Sequence, residues 1–298
     1  MQYLDFLEQV HDRLRPESYL EIGVRNGHSL ARSTVPSVGI APAYEIDPAL
    51  SLGEQVTLAR QTSDDFFALD APLTSLPRQH IDLAFIDGMH LYEYALRDFM
   101  NVERHSRPGG VIVFDDVMPR SSVEAQRDRE SSAWTGDVWK IIPTLRRLRP
   151  DLMTLQVSTQ PTGLLLVLGL DPTTTVLRDN YDELVSSWAG ADHVEPPEAL
   201  IKRRGAIPPA RVLEAPFWDV LQQVRRGTAT PQDLHDVVSA WVEDQLTPAQ
   251  ARRVNRGFRK RTAPSRKKAA ATKPVPSTMS VGRIVRGLRR RVRGLGSR

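Results

Sequence analysis

Asp87, His90, Asp115 and Asp116 carry the densest chemistry in the chain. They sit in Ile86-Asp87-Gly88-Met89-His90-Leu91-Tyr92-Glu93 and in Gly109-Gly110-Val111-Ile112-Val113-Phe114-Asp115-Asp116, where apolar runs end in acids. If the two runs are adjacent strands, three carboxylates, Asp87, Asp115 and Asp116, can converge on one hard cation. Oxygen-only ligation without a cysteine in the chain suits Mg²⁺ or Mn²⁺. His90, three residues after Asp87, brings an imidazole that titrates near neutrality, which is what a general base needs to take a proton from an alcohol. Asp87 and His90 are therefore the expected catalytic pair.

A second set of residues suits a nucleotide-bearing cofactor. In Tyr19-Leu20-Glu21-Ile22-Gly23-Val24-Arg25-Asn26-Gly27-His28-Ser29-Leu30 an apolar strand meets a carboxylate, two glycines four apart and a helix start. Gly23 lets the backbone come close to a ligand, and Gly27 and Ser29 open the next helix with amides pointing outward. A dinucleotide turn needs G-x-G-x-x-G, and Arg25 stands at its second glycine, so NAD is disfavoured. Glu45-Ile46-Asp47-Pro48 offers two carboxylates for a ribose diol, Glu45 first and Asp47 on the same side of an extended chain. Thr62-Ser63-Asp64-Asp65 begins a helix where Ser63 and Asp64 could meet an adenine, or where the acids simply cap the helix.

The elements that would hold these groups alternate. Apolar runs at Tyr19 to Ile22, Ala43 to Ile46, Val56 to Ala59, Ile81 to Ile86 and Val111 to Phe114 predict parallel strands. Segments 28–34, 49–54, 64–70 and 91–106 predict the intervening helices, after an N-terminal amphipathic helix through Tyr3, Phe6, Val10 and Leu14. Pro108-Gly109-Gly110 reads as the turn into the fifth strand, and 137–149 as a further helix. Leu152 to Val157 and Gly163 to Leu170 predict a closing hairpin, so the expectation is an α/β fold with a mostly parallel seven-stranded sheet flanked by helices. Ligands then collect at the carboxyl ends of the strands, where the acids lie.

The acid-x-Gly-x-x-x-Gly turn resembles motif I of class I methyltransferases, whose ligand is S-adenosyl-L-methionine. Asp87-Gly88-Met89-His90-Leu91-Tyr92-Glu93, Asp98, Pro108-Gly109-Gly110 and Asp115-Asp116 resemble the macrocin and mycinamicin type of sugar O-methyltransferase, and more distantly catechol O-methyltransferase, over residues 17–170. The resemblance implies a Rossmann-like class I methyltransferase fold, with Mg²⁺ on Asp87, Asp115 and Asp116 and His90 as base toward a sugar or glycoconjugate hydroxyl. The cofactor would lie on Glu21, Gly23, Gly27, Ser29, Glu45, Asp47, Ser63, Asp64 and Asp87. The macrolide enzymes carry Glu-Asp where Asp115-Asp116 stands, and the shorter first side chain puts direct metal contact by Asp115 in question. Two other functions fit the same residues: a metal-independent small-molecule methyltransferase, and a membrane-tethered scaffold with a degenerate site.

Charge divides the chain. Residues 252–298 hold 17 Lys or Arg and no acid, leaving 23 bases against 36 acids in residues 1–251, so the high isoelectric point does not mark a nucleic-acid-binding domain. The expected organisation is a methyltransferase domain at 1–172, a helical accessory region at 173–261, a disordered linker at 262–280 and a basic amphipathic tail at 281–298. The tail suits an anionic membrane surface first, with nucleic acid or plain solubilisation as alternatives. No thiol chemistry is possible, and nothing reads as a signal peptide or membrane span, so a cytoplasmic protein, peripheral at most to the inner membrane surface, is expected. Arg120, Arg127, Arg129 and Trp134 in the polar 119–140 segment could engage the acceptor or belong to a solvated loop, and Trp139 is expected to anchor the following helix.

Overall fold

The structure, a computed structural model, describes residues 1–189 and 194–245; the linker and tail expected at 262–298 lie outside the described residues. Seven strands form one sheet: β1 (Tyr19–Ile22), β2 (Ser37–Ile40), β3 (Val56–Ala59), β4 (Ile81–Ile86), β5 (Ser106–Phe114), β6 (Met153–Val157) and β7 (Leu164–Leu168). Their spatial order is β3-β2-β1-β4-β5-β7-β6, all parallel except β7, which runs antiparallel to both its neighbours. The order reverses at β1 and β4, which opens a crevice at their carboxyl ends.

Side-chain alternation divides the sheet into two faces. Tyr19, Leu83, Phe85 and Val113 face α1 (Tyr3–Leu14), whose Phe6, Leu7, Val10 and Leu14 are fully buried on them, each contributing roughly 2 kcal/mol of transfer free energy. Leu20, Ile22, Ala84, Ile86 and Phe114 face α3 (Tyr92–His105) and α4 (Ile141–Leu148), with the one-and-a-half-turn α2 (Ser63–Phe67) at the edge. Among the described residues six further helices follow: α5 (Val176–Asp179), α6 (Tyr181–Ala189), α7 (Glu198–Ile201), α8 (Pro209–Leu213), α9 (Phe217–Arg226) and α10 (Pro231–Gln245).

Helices among the described residues after 172 pack on the sheet. Val212, Phe217, Trp218, Leu221 and Val238 join the same core as α1. Gly109 marks the closest approach: a Cβ there would lie 2.6 Å from the Leu221 carbonyl oxygen. Pro108-Gly109-Gly110 is accordingly part of β5, with a register shift against β4, and not the turn its composition suggests.

The second strand is Ser37–Ile40, not Ala43 to Ile46. Ser37 and Gly39 dilute the apolar signal of the true strand, yet both belong there. The Ser37 hydroxyl donates to the Val35 carbonyl at 2.7 Å, and a Cβ on Gly39 would lie 2.8 Å from Val24 Cγ2, so only glycine lets those side chains close over the strand. Residues 43–46 are instead held against the first turn, where Glu45 N–H donates to the Arg25 carbonyl at 2.9 Å and Asp47 N–H to that of Asn26 at 3.0 Å. Segment 28–34 makes only a 3₁₀ turn at Leu30–Arg32, and 49–54 forms no helix. No helix among the described residues is long and apolar enough to cross a membrane.

Candidate active site

The parallel ladder runs one rung past the ends of β1, β4 and β5. Asp87 N–H donates to the Ile22 carbonyl at 2.8 Å and Asp115 N–H to that of Ile86 at 3.1 Å, so both acids share the α1 side of the sheet with Glu21, Phe85 and Val113. Gly23, opposite Asp87, has φ +98, and a Cβ on it would lie 1.8 Å from the Asp87 carbonyl oxygen. Its lack of a side chain thus serves first to bring the two strand ends together.

Asp116 adopts the left-handed region at φ +60, which few residues other than Gly, Asn and Asp tolerate. Its N–H donates to Asp115 Oδ1 at 2.8 Å, and its own carboxylate turns back to His90, Oδ2 lying 3.1 Å from Nδ1. The other ring nitrogen, Nε2, lies 3.3 Å from Asp87 Oδ1. Asp87, His90 and Asp116 therefore present ligand atoms within 4.8 Å of one another, a set of oxygens and one nitrogen that fits a hard divalent cation. Asp115 is not in that trio. It is buried, and its Oδ1 accepts from Asp116 N–H and, at 3.4 Å, from the Thr162 hydroxyl. Direct ligation by Asp115, expected from the sequence, would require that carboxylate to turn.

His90 is clamped by the loop after β5. The Trp134 carbonyl lies 2.8 Å from Nδ1 and the Trp134 ring stacks on the imidazole with centroids 5.3 Å apart. Asp137 N–H donates to the His90 carbonyl at 3.1 Å, and a Cβ on Gly136 would lie 1.6 Å from that oxygen. Burial pushes the His90 pKa down, but the Asp87 hydrogen bond, the charges of Asp116 and Asp87 and the Trp134 carbonyl outweigh it and take the pKa up to about 9. Asp115 and Asp116 both titrate above the ordinary carboxylate range, from burial first and then from the charges of neighbouring acids.

Of the residues that could engage an acceptor, Arg120, Arg127 and Trp134 are committed to the protein. Arg127 holds Glu93 Oε1 at 2.6 Å and Asp137 Oδ2 at 2.7 Å, and Arg120 holds Glu124 Oε1 at 2.6 Å. Asp137 is further bound by the buried Lys140 at 2.9 Å. Trp134 covers His90, its Nε1–H bound to the Gln126 carbonyl at 2.6 Å. A polar loop composition signals none of this, because Glu124, Gln126 and Asp137 are partners within the segment itself, while Glu93 lies 34 residues before Arg127 and His90 44 residues before Trp134.

At the first turn, buried Glu21 accepts from the Tyr19 hydroxyl at 2.8 Å and the Ser29 hydroxyl at 2.7 Å. Burial raises its pKa to about 7, against the lowering by those two bonds. Ser29 thus orients Glu21. Gly27, at φ +85, packs on Ile46. Glu45 is exposed just beyond this turn, whereas Asp47 pairs with His28 at 3.3 Å and caps Ala49 N–H at 2.9 Å. Arg97 takes both oxygens of Asp64 at 3.0 Å each, and Ser63 donates to the buried Asp98 at 2.5 Å, so the adenine side of the crevice is not lined by a free Asp64. The exposed Glu45 carboxylate, the glycine-lined turn at the topological switch and the acid edge beyond it fit a nucleoside with a cationic centre.

Residues 20–117 match the family described as a methyltransferase domain. No curated protein matches the chain by sequence. Solved structures similar to it include an O-methyltransferase from Bacillus cereus in complex with SAH, at 19% identity and TM-score 0.39 over 56% of this chain and 80% of that one. The O-methyltransferase TomG from Streptomyces achromogenes, in complex with SAM, shares 23% identity at TM-score 0.40 over 56% of this chain and 79% of its own. MycE of the mycinamycin biosynthetic pathway, in complex with Mg and SAH, shares 17% at TM-score 0.42 over 57% and 49% respectively. At such similarity none of them assigns an acceptor. The matched domain gives this chain a methyltransferase domain at residues 20–117, and the acid-edged crevice lies at the switch point of its strand order.

Proposed function

We propose that the chain is an O-methyltransferase that transfers the methyl group of S-adenosylmethionine to a hydroxyl of a sugar or glycoconjugate, assisted by Mg²⁺ or Mn²⁺. The observation that carries this reading is the convergence of Asp87, Asp116 and His90 at the strand edge that also holds the Glu21 to Gly27 turn. The resemblance of Asp87 through Glu93 to the macrocin and mycinamicin type supports the sugar acceptor.

Asp87 and Asp116 would hold the cation, with Asp115 behind them. A cation bound there supplies Lewis-acid lowering of a hydroxyl pKa. A cation on Asp87 and Asp116 would relieve the pull of those carboxylates on the His90 proton, and the neutral ring would serve as base. S-adenosylmethionine bound in the crevice would supply an electrophilic methyl carbon, its C–S bond breaking as the C–O bond forms, and His90 would take the proton of the acceptor hydroxyl. The Trp134 stack fixes the imidazole plane, which keeps proton transfer in register with attack.

His90→Ala tests the assignment. Turnover should fall at least about 100-fold, the usual contribution of a positioned base, with calorimetric affinity for S-adenosylmethionine little changed. Unaltered turnover would remove His90 from the chemistry, and activity that persists in excess chelator would select the metal-independent alternative.

A further inference from the structure

The N-terminal helix brings a side chain to the acid edge that no motif announces. Gln2 pairs with Gln160 in the turn between β6 and β7, and Tyr3 N–H donates to the Gln160 carbonyl at 3.0 Å, which pins the start of α1 over the carboxyl ends of the strands. The Tyr3 ring stacks on Phe85, centroids 6.1 Å apart at 18°, and Phe85 is the register partner of Glu21 on β1 and of Val113 on β5. Glu21, Asp87 and Asp115 leave the sheet on this same face, so the phenol stands above them. Burial and then the charges of Asp115, Asp87, Glu21 and Asp116 push its pKa well up, which keeps the hydroxyl a donor. Among the described residues that hydroxyl has no hydrogen-bond partner, whereas Tyr19, Tyr92 and Tyr181 all use theirs.

We infer that Tyr3 is a cofactor-binding residue whose hydroxyl donates to the carboxylate of the amino-acid end of S-adenosylmethionine. The inference rests on the cofactor assignment above and adds a residue from outside the matched domain. The charge pattern explains the choice of a neutral donor. The amino-acid end is a zwitterion attached to a sulfonium, and an edge of four carboxylates welcomes the sulfonium and the ammonium but repels the carboxylate. An arginine there would pair with Asp87 or Asp115 and neutralise the edge. A phenol held protonated can bind the ligand carboxylate and leave the acids free.

The test is calorimetry on the full chain with two probes, S-adenosylhomocysteine and 5′-methylthioadenosine, which lacks the amino-acid end. Tyr3→Phe keeps the ring on Phe85 and removes only the hydroxyl. It should weaken S-adenosylhomocysteine about tenfold, as expected for a hydrogen bond to a charged group, and leave methylthioadenosine and the melting midpoint unchanged. Wild-type affinity of Tyr3→Phe for S-adenosylhomocysteine would overturn the inference, and so would equal weakening of both probes, which would mean a distorted crevice. If the wild-type chain bound neither probe, the cofactor assignment would fall and the inference with it.

Discussion

Gly136→Ala probes the clamp on His90 without knowledge of the acceptor. The added methyl would lie 1.6 Å from the His90 carbonyl oxygen, 2.7 Å from its carbon and 3.0 Å from His90 Cβ. Carbon and carbonyl oxygen sit at about 3.3 Å or more, so the loop and the His90 turn must part by well over an ångström. That parting breaks the Asp137 N–H bond to His90 O, now 3.1 Å, and the Trp134 carbonyl contact to Nδ1, now 2.8 Å. Each is worth about 1 kcal/mol, the His90–Trp134 stack about the same, and alanine in the left-handed region at φ +55 costs about 1 kcal/mol more. The total, about 4 kcal/mol, corresponds to a roughly thousandfold rise in loop opening. Hydrogen exchange read by mass spectrometry should show it in peptides across residues 118–137, while strands β4 and β5 keep their protection. Gly205→Ala is the control: φ there is +91 and a Cβ meets nothing within 4 Å, so only the backbone cost remains. Wild-type exchange in Gly136→Ala, or an equal effect in the control, would refute the clamp.

Acid stability should depend on His11. Its Nε2 is buried without a partner, and burial lowers its pKa from 6.5 to about 4. Because the folded pKa lies below the unfolded one, the contribution is fully present above pH 6.5 and is lost as pH falls through 4, about 3 kcal/mol in all. Urea titrations at several pH values should show this acid limb in the wild type and a flatter one in His11→Leu; parallel limbs would contradict it. Arg127→Met should cost about 2 kcal/mol, because it breaks pairs to Glu93 and to the buried Asp137, which keeps Lys140. An unchanged denaturation midpoint together with a raised acceptor KM would return Arg127 to the acceptor side.

The strands with continuous apolar runs were legible from sequence, since β1, β4, β5, β6 and β7 are buried on both faces and need no polar alternation. β2 was not, because its serine is satisfied locally and its glycine is required by neighbours far along the chain. The convergence of Asp87, His90 and Asp116 was legible in outline, as acids at adjacent strand ends. That Asp116 and not Asp115 turns toward His90 depends on one backbone dihedral, which residue type alone does not fix. The commitment of Asp64 to Arg97, of Arg127 to Glu93 and of Trp134 to His90 involves long-range partners, and a lone charged or aromatic residue in a polar segment looks the same whether it meets a ligand or a neighbour.

The tie between Gln2–Tyr3 and Gln160 also sets an order on the making of the site. β1, β4 and β5, the acids at their ends and the face on which α1 packs are all present once residue 116 has been synthesised, but the backbone tie at the start of α1 waits for Gln160 in the β6–β7 turn. The tie spans more than 150 residues of chain, and long-range contacts of this kind form slowly. A chain halted before residue 160 would carry α1 on the sheet with its first turn untied above the acids.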